Sequence, residues 1–482
     1  MVDNVDIAAQ GRFNNPDLLP TRPENHHWTW YNYTTLWIGM SHNVATYMMA
    51  AGLIALGMNW WEAIFTIILG NFIVLIPILL NSHAGTKYGI PFPVLARASF
   101  GIRGANIPAV LRGLVAAGWF GINTAIGGDA VNSLAALIVP GWSHWAQGGT
   151  FAGLTLGGWI TFLLFWVLNL WVIYHGMDAV RKFENWAGPL ILVMGVILLS
   201  WAHQAAHGWG PMLRQPSHLK TFGAFFAVFI PSLTGVIAFW STLSLNIPDF
   251  TRFSRSQRDQ LLGQTLGLPT TMTLFSLIGV LVTSASIVLY GQPLWDPVAL
   301  IAKFHSPAIQ VIGLVSIIIA TLSVNVAANI VSPAYDLAQI FPKLTFEQGG
   351  LITAIISIFM FPWLLLSNPH IYIFSWLGIY SGFLGPIAAI LIADYWVVRQ
   401  KTLRLADLYR DNGIYQYGNG FNVGGLIALA AGILVALIGL VFPPLKWLYS
   451  YAWFSGFAVS FIVYRLLMAH SPSLSDTSDQ VS

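Results

Sequence analysis

Asn325 and Asn329 lie four residues apart in the stretch TLSVNVAANIVSP, where a long apolar run ends and Pro333 follows. On a helix that spacing puts both amides on one face, one turn apart. A side-chain amide carries donors and an acceptor, so the pair suits a neutral solute edged with N–H and C=O groups. The same amides can instead join neighbouring helices, at about 0.6–2 kcal/mol per hydrogen bond. Other neutral polar residues interrupt apolar runs in the same way: Asn43, Asn123, Thr124, Thr234 and Ser323. Trp119 stands one turn before Asn123 on the same face, and Trp240 sits in the polar-interrupted AFWSTLSLN. Two indoles can sandwich a flat ring, each aromatic pair adding about 0.5–1.5 kcal/mol beyond area burial. Any one of these residues alone reads as packing; jointly they point to a site for a planar, amide-edged heterocycle.

Other chemistries are poorly supplied. The chain has no HExxH, GxSxG or GxxxxGK pattern, so the metalloprotease, serine-hydrolase and phosphate-loop readings have no anchor. Cysteine is absent, which excludes disulfides, thiolate catalysis and Cys-ligated metals. His203 and His207 are four apart with no acidic residue nearby in sequence, and we read them as interfacial histidines with no metal site. No cofactor is expected. Asp129, six residues after Asn123, is a functional candidate because intramembrane acids are costly. His42 can titrate near neutral pH, while Glu62 and Glu184 read as residues at span ends.

The elements that must position these residues are membrane spans. Of 482 residues, 56% are hydrophobic and 8% charged, against roughly 25% charged in soluble domains. Apolar runs of about 20 residues, long enough to cross a bilayer core, recur near 34–56, 61–80, 106–138, 153–176, 187–204, 223–247, 268–290, 308–332, 349–367, 372–397, 422–442 and 447–468. With the N-terminus inside, 17 of the 21 Lys and Arg fall on the cytoplasmic side, and only Arg214, Lys220, Lys303 and Lys446 fall outside. The positive-inside rule then sets both termini in the cytoplasm. The polar N-terminus has no apolar core of the kind that marks a cleaved signal peptide.

The expected fold is an all-α integral membrane protein of about twelve transmembrane helices. Its domains would be a cytoplasmic segment at 1–30, a ten-helix core at 31–398, a linker at 399–421, two added helices at 422–468 and a polar tail at 469–482. Ten spans split five plus five run in opposite orientations, as inverted-repeat transporters require. Span 1 is interrupted by Gly39, Ser41, His42 and Asn43, and span 6 by Ser241, Thr242, Ser244, Asn246 and Pro248. Corresponding breaks of this kind point to the binding site. The loop HAGTKYGIPFPVLARASFGIRG after span 2 reads as partly re-entrant or interfacial.

Nearly the whole chain, roughly residues 20–470, resembles the first nucleobase–cation symporter family of hydantoin, allantoin, uracil and cytosine transporters. The resemblance is carried by NSHAGTKYGIPFPVLARASFGIRGANIPAVLR, GWFGIN, WSTLSLNIPDFTRF, SVNVAANIVSPAYD and LGPIAAILIADYWVVR. It implies a LeuT-like fold of ten spans plus two, with alternating access. It further implies Trp119 and Trp240 as stacking residues, Asn123, Asn329 and Asn43 as substrate amides, and Asn325 lining the same region. Position 123 is Asn where many relatives carry Gln. The family's sodium site corresponds to carbonyls of Gly39, His42 and Ala320 and to hydroxyls at 323 and 324. Ser323 keeps one hydroxyl and Val324 lacks the other, and a hard cation wants oxygen ligands. The resulting expectation is a plasma-membrane (inner-membrane) importer of a nucleobase or cyclic ureide, coupled to protons or sodium, with lipid and a small planar heterocycle as partners and no nucleic acid. The alternatives are a channel for small neutral solutes and an intramembrane enzyme acting on heterocycles.

Overall fold

The computed structural model describes residues 15–174 and 193–469. In chain order its principal helices are α1 (Trp30–Ser41), α2 (Val44–Ala55), α3 (Trp60–Tyr88), α4 (Phe92–Phe100), α5 (Asn106–Ile138) and α6 (Leu156–Tyr174). Next come α7 (Val193–Ala205), α8 (Phe222–Phe239), α9 (Ser241–Asn246), α10 (Pro248–Thr251), α11 (Gln257–Tyr290), α12 (Pro307–Asn329), α13 (Val331–Ile340) and α14 (Phe346–Phe359). The last are α15 (Ile371–Val398), α16 (Val423–Leu440) and α17 (Ala452–Leu467).

Seven helices among the described residues are long and apolar enough to cross a membrane unaided. The other expected spans are broken or short: α1 with α2, α6, α7, α14, and α17, which is bent by 85° from the preceding Pro443–Ser450. The all-α, twelve-span reading therefore holds, with span 5 described only from Val193 onward. Two boundaries differ from expectation. Residues 81–88, read as loop, continue α3, which starts in a reciprocal Asn59–Glu62 capping box and stops at Gly89 with φ +67°. Within the loop read as partly re-entrant or interfacial, Phe92–Phe100 forms a fully buried helix. Similarly, α11 begins eleven residues before the expected start at 268, because Ser256 caps it by accepting from the Asp259 amide.

Among the described residues, three spans break inside the bundle. The α1–α2 break falls at His42 and Asn43, the α8–α9 break at Trp240 with φ −104° and ψ 6°, and the α12–α13 break at Ile330. Broken helices expose backbone groups that lipid cannot satisfy, so side chains must serve them. Asn43 accepts from Thr46 N at 2.7 Å and donates to Met40 O at 2.7 Å, stitching both halves of the first break. Asn81 donates to Ser244 O at 2.6 Å at the second. Pro333 lies in the first turn of α13, where its missing N–H costs nothing; the break precedes it.

α11 packs on α1, α2 and α3, α5 packs on α6, α12 and α13, and α15 packs on α16 and α17. Close approach of α5 to α6 needs small residues: a Cβ on Gly127 would meet the Phe165 ring at 2.2 Å, and one on Gly128 would meet Phe162 Cα at 2.8 Å. Across the end expected to face the cytoplasm runs the segment 15–28. Asn15 Nδ2 donates to Pro342 O and Leu344 O at 3.1 and 3.2 Å, and Arg252 donates to Asp17 O, Leu19 O and Thr21 Oγ1.

Candidate functional site

The breaks of α1–α2 and α8–α9 face the middle of α5 and the end of α12 around one small cavity. Its walls are Met40, Asn43 and Ala45 from the first break, Trp119 and Asn123 from α5, Phe239, Trp240, Thr242 and Leu243 around the second break, and Val324, Ala328 and Asn329 from α12. Five of the six expected substrate residues thus converge: Asn43, Trp119, Asn123, Trp240 and Asn329. The cavity measures about 30 Å³, far below the roughly 300–1,000 Å³ of ordinary ligand pockets, so a heterocycle enters only when the walls part.

The sixth residue lies behind the wall. Asn325 is fully buried, and its Nδ2 is in range of Phe120 O at 3.2 Å, Thr124 Oγ1 at 3.3 Å and Asn169 Oδ1 at 3.1 Å. Its Oδ1 accepts from Asn329 Nδ2 at 2.9 Å. Asn325 therefore fixes the amide that lines the cavity. Asn169 on α6, itself donating to Phe165 O at 2.8 Å, has no partner signal in sequence; its only mark was a lone Asn inside an apolar run.

The hydrogen-bond inventory of the wall is uneven. Asn43 has spent one N–H and its carbonyl on the helix break. Asn123 Nδ2 donates to Trp119 O at 3.1 Å, but Asn123 Oδ1 and Trp240 Nε1 are buried without a partner among the described residues, and Trp119 Nε1 makes no full hydrogen bond, although the Tyr380 hydroxyl interacts with it. Leaving such a group unmade costs about 1–3 kcal/mol, so two donors and one acceptor stand ready for a ligand edge. The rings do not form a ready sandwich. Phe239, which sequence reasoning passed over, meets Trp119 edge-on at 4.9 Å and Trp240 edge-on at 5.1 Å. Trp240 also meets Trp37 edge-on at 5.0 Å.

The expected cation residues sit where α1 and α12 pack. Gly39 has open space where a Cβ would be. The His42 ring lies 4.9 Å from Phe275, and its Nδ1 contacts Ile38 O at 2.5 Å. Ser323 is buried. Ala320 lines a separate apolar cavity with Tyr47 and Phe275, and Val324 presents its methyls to the central cavity. Of the two positions at which the resemblance implies a sodium-binding hydroxyl, 323 is Ser and 324 is Val. Asp129 opens instead on a larger cavity of about 200 Å³, shared with Asp296, Asn132 and Trp363. His203 packs on Trp209 at 4.5 Å.

A family model described as permease for cytosine/purines, uracil, thiamine and allantoin matches residues 20–464. The chain belongs to that family of nucleobase–cation symporters. The permease is 43% identical over 464 residues to an allantoin permease of Bacillus subtilis, covering 96% of this chain and 94% of the relative. It is 39% identical to a purine-uracil permease of Arabidopsis thaliana, covering 94% and 78% of the two chains. The solved structure of Mhp1 in its inward-facing conformation superposes with a TM-score of 0.78 at 26% identity, over 95% and 93% of the two chains. Mhp1 closed around bromovinylhydantoin gives 0.77 at 26% identity, over 95% and 96%. The permease is a multi-pass membrane transporter and not an enzyme.

Proposed function

We propose that the permease imports a cyclic ureide or nucleobase by alternating access, with a proton as the coupling ion. The observation that carries the substrate class is the trio of polar atoms at the cavity that make no full hydrogen bond among the described residues: Trp119 Nε1, Trp240 Nε1 and Asn123 Oδ1. Two N–H donors and a carbonyl acceptor complement a ring that presents C=O groups beside an N–H, which is the edge of allantoin, hydantoins and uracil alike. Asn329, held by Asn325, adds a fourth polar contact. Relatives named as allantoin, purine-uracil and uracil permeases support the same class.

The choice of proton over sodium follows from Val324, which offers no oxygen where a hydroxyl would complete a hard-cation site. The direction and membrane follow from the basic residues, 17 of 21 on the side read as cytoplasmic. Labelled uptake into proteoliposomes tests the reading, using allantoin, a hydantoin, uracil and cytosine, each with a proton gradient, a sodium gradient or neither. Saturable uptake of one ring with counterflow is expected, which a channel would not give. Uptake of none of the four rings under any gradient overturns the substrate class.

A further inference from the structure

About two turns beyond Thr242 and Leu243, on the side away from the Asp129 cavity, the second broken span carries a buried charged cluster. Arg112 on α5 pairs with Asp336 on α13 at 2.9 Å, both side chains 1% exposed. Asp249 on α10, 3% exposed, lies in electrostatic range of the same guanidinium. Its Oδ1 accepts from Phe92 N at 2.8 Å at the start of α4. Asp336 Oδ1 and Arg112 Nε are buried without hydrogen-bond partners among the described residues, and Asp249 Oδ2 makes no full hydrogen bond, its carboxylate interacting with the Ser332 side chain. Two carboxylates therefore flank Arg112, and Arg252 is also in electrostatic range of Asp249.

Every charged or titratable group near Asp249 bears on that balance. Arg252, just after α10, is in range; its Nε, Nη1 and Nη2 donate to Thr21 Oγ1, Asp17 O and Leu19 O, neutral acceptors that hold it in place and leave its charge intact. Tyr335 on α13 and Asp17 in the crossing segment also face this region, and Asp17 adds a further negative charge. Arg97 on α4 is directed to Gln339 Oε1 at 2.7–2.9 Å and to Leu408 O. No guanidinium forms an ion pair with Asp249 among the described residues: Arg112 is spent on Asp336, and Arg252 acts on Asp249 only through space. A carboxylate buried without an adequate partner is most cheaply held as the neutral acid.

We propose that this cluster, with Asp249 as the acceptor and Asp336 and Arg112 setting its charge balance, is the site that carries the coupling proton. The inference rests on the transport reading above. In the arrangement seen, the proton sits on Asp249 Oδ2 while Oδ1 keeps the Phe92 amide. Asn246, whose Nδ2 donates to Ser332 Oγ at 2.5 Å and whose Oδ1 has no partner, lies between the cavity and the cluster. It gives a polar route from cavity water to Asp249. The members sit on different helices: Arg112 and Asp336 on the packed pair α5 and α13, and Asp249 on α10, which packs on α3. Parting of these two groups on inward opening separates Asp249 from its neighbours and admits water, and the proton passes to that water.

Two measurements test this. In proteoliposomes carrying an internal pH dye, adding the four-ring panel to the wild type should acidify the lumen, whereas Asp249→Asn should lose acidification and still exchange labelled substrate by counterflow. Separately, infrared spectra of the purified protein titrated with pH should show a protonated-carboxyl band in the wild type that is missing in Asp249→Asn. The band should also vanish in Asp336→Asn, where Arg112 becomes free to pair with Asp249. Acidification that survives Asp249→Asn, or a spectrum in which neither variant loses a carboxyl component present in the wild type, overturns the proposal. If neither protein moves any ring, the transport reading fails, and the infrared bands still decide whether Asp249 holds the proton.

Discussion

Asn329 donates its side-chain amide to Asn325 Oδ1 at 2.9 Å, one turn back along α12. Asn329 lines the cavity, and Asn325, one turn back on the same face, is taken up behind the wall by Phe120 O, Thr124 and Asn169. The two amides therefore differ in what their loss should do. Asn329→Ala should weaken uptake with membrane insertion intact, because only the cavity-facing group is removed. An unchanged uptake rate across the substrate panel would take Asn329 out of the site.

Asn325→Ala should lower stability as well as transport. It strips partners from Asn329 Nδ2 and Asn169 Oδ1 in a buried setting, at about 1–3 kcal/mol for each group left unmade. Thermal unfolding in detergent reads the difference: a clear drop in midpoint for Asn325→Ala, and a smaller one for Asn329→Ala. Equal midpoints would mean that the network behind the wall contributes nothing to the fold.

Trp119→Phe keeps an aromatic wall and removes the Nε1 that makes no full hydrogen bond. If that N–H meets the substrate, apparent affinity should fall by roughly tenfold, the equivalent of about 1.4 kcal/mol, with maximal rate little altered. Competition binding of the transported ring against its analogues measures it. Unaltered affinity would assign Trp119 to packing against Phe239 at 4.9 Å alone.

Val324→Thr restores a hydroxyl beside Ser323 with almost the same side-chain volume. Uptake in this variant should gain a dependence on external sodium that the wild type lacks. Uptake by the wild type already driven by sodium would show instead that Ser323 and backbone carbonyls are sufficient for the ion.

Arg252→Ala removes three hydrogen bonds that fasten residues 17–21 to the end of α10. Hydrogen exchange across residues 15–25 should then speed up by at least about tenfold, since bonds to charged groups are worth roughly 1.5–3 kcal/mol each. Unchanged protection would leave the segment held by Asn15 on Pro342 and Leu344 and by the Tyr409 hydroxyl on Leu18 O.

The sequence by itself determined whatever depends on near neighbours along the chain. Apolar length dictated the spans, because a hydrocarbon core leaves backbone groups no partner outside a helix. The crowding of Gly39, Ser41, His42 and Asn43, and of Ser241 to Pro248, marked both breaks, and helical period put Asn325 and Asn329 on one face. The tertiary structure alone decided which of that pair sees the cavity, since one turn moves a side chain from the lumen to the α5–α6 contact. It alone set Phe239 against both Trp119 and Trp240, and it spent Asn43 on capping rather than leaving it wholly free. It also brought Arg112 to Asp336 across 224 residues of sequence, with Asp249 alongside. Local periodicity carries no record of such pairings, because they arise only when separate helices pack and the charges they bury must be balanced together.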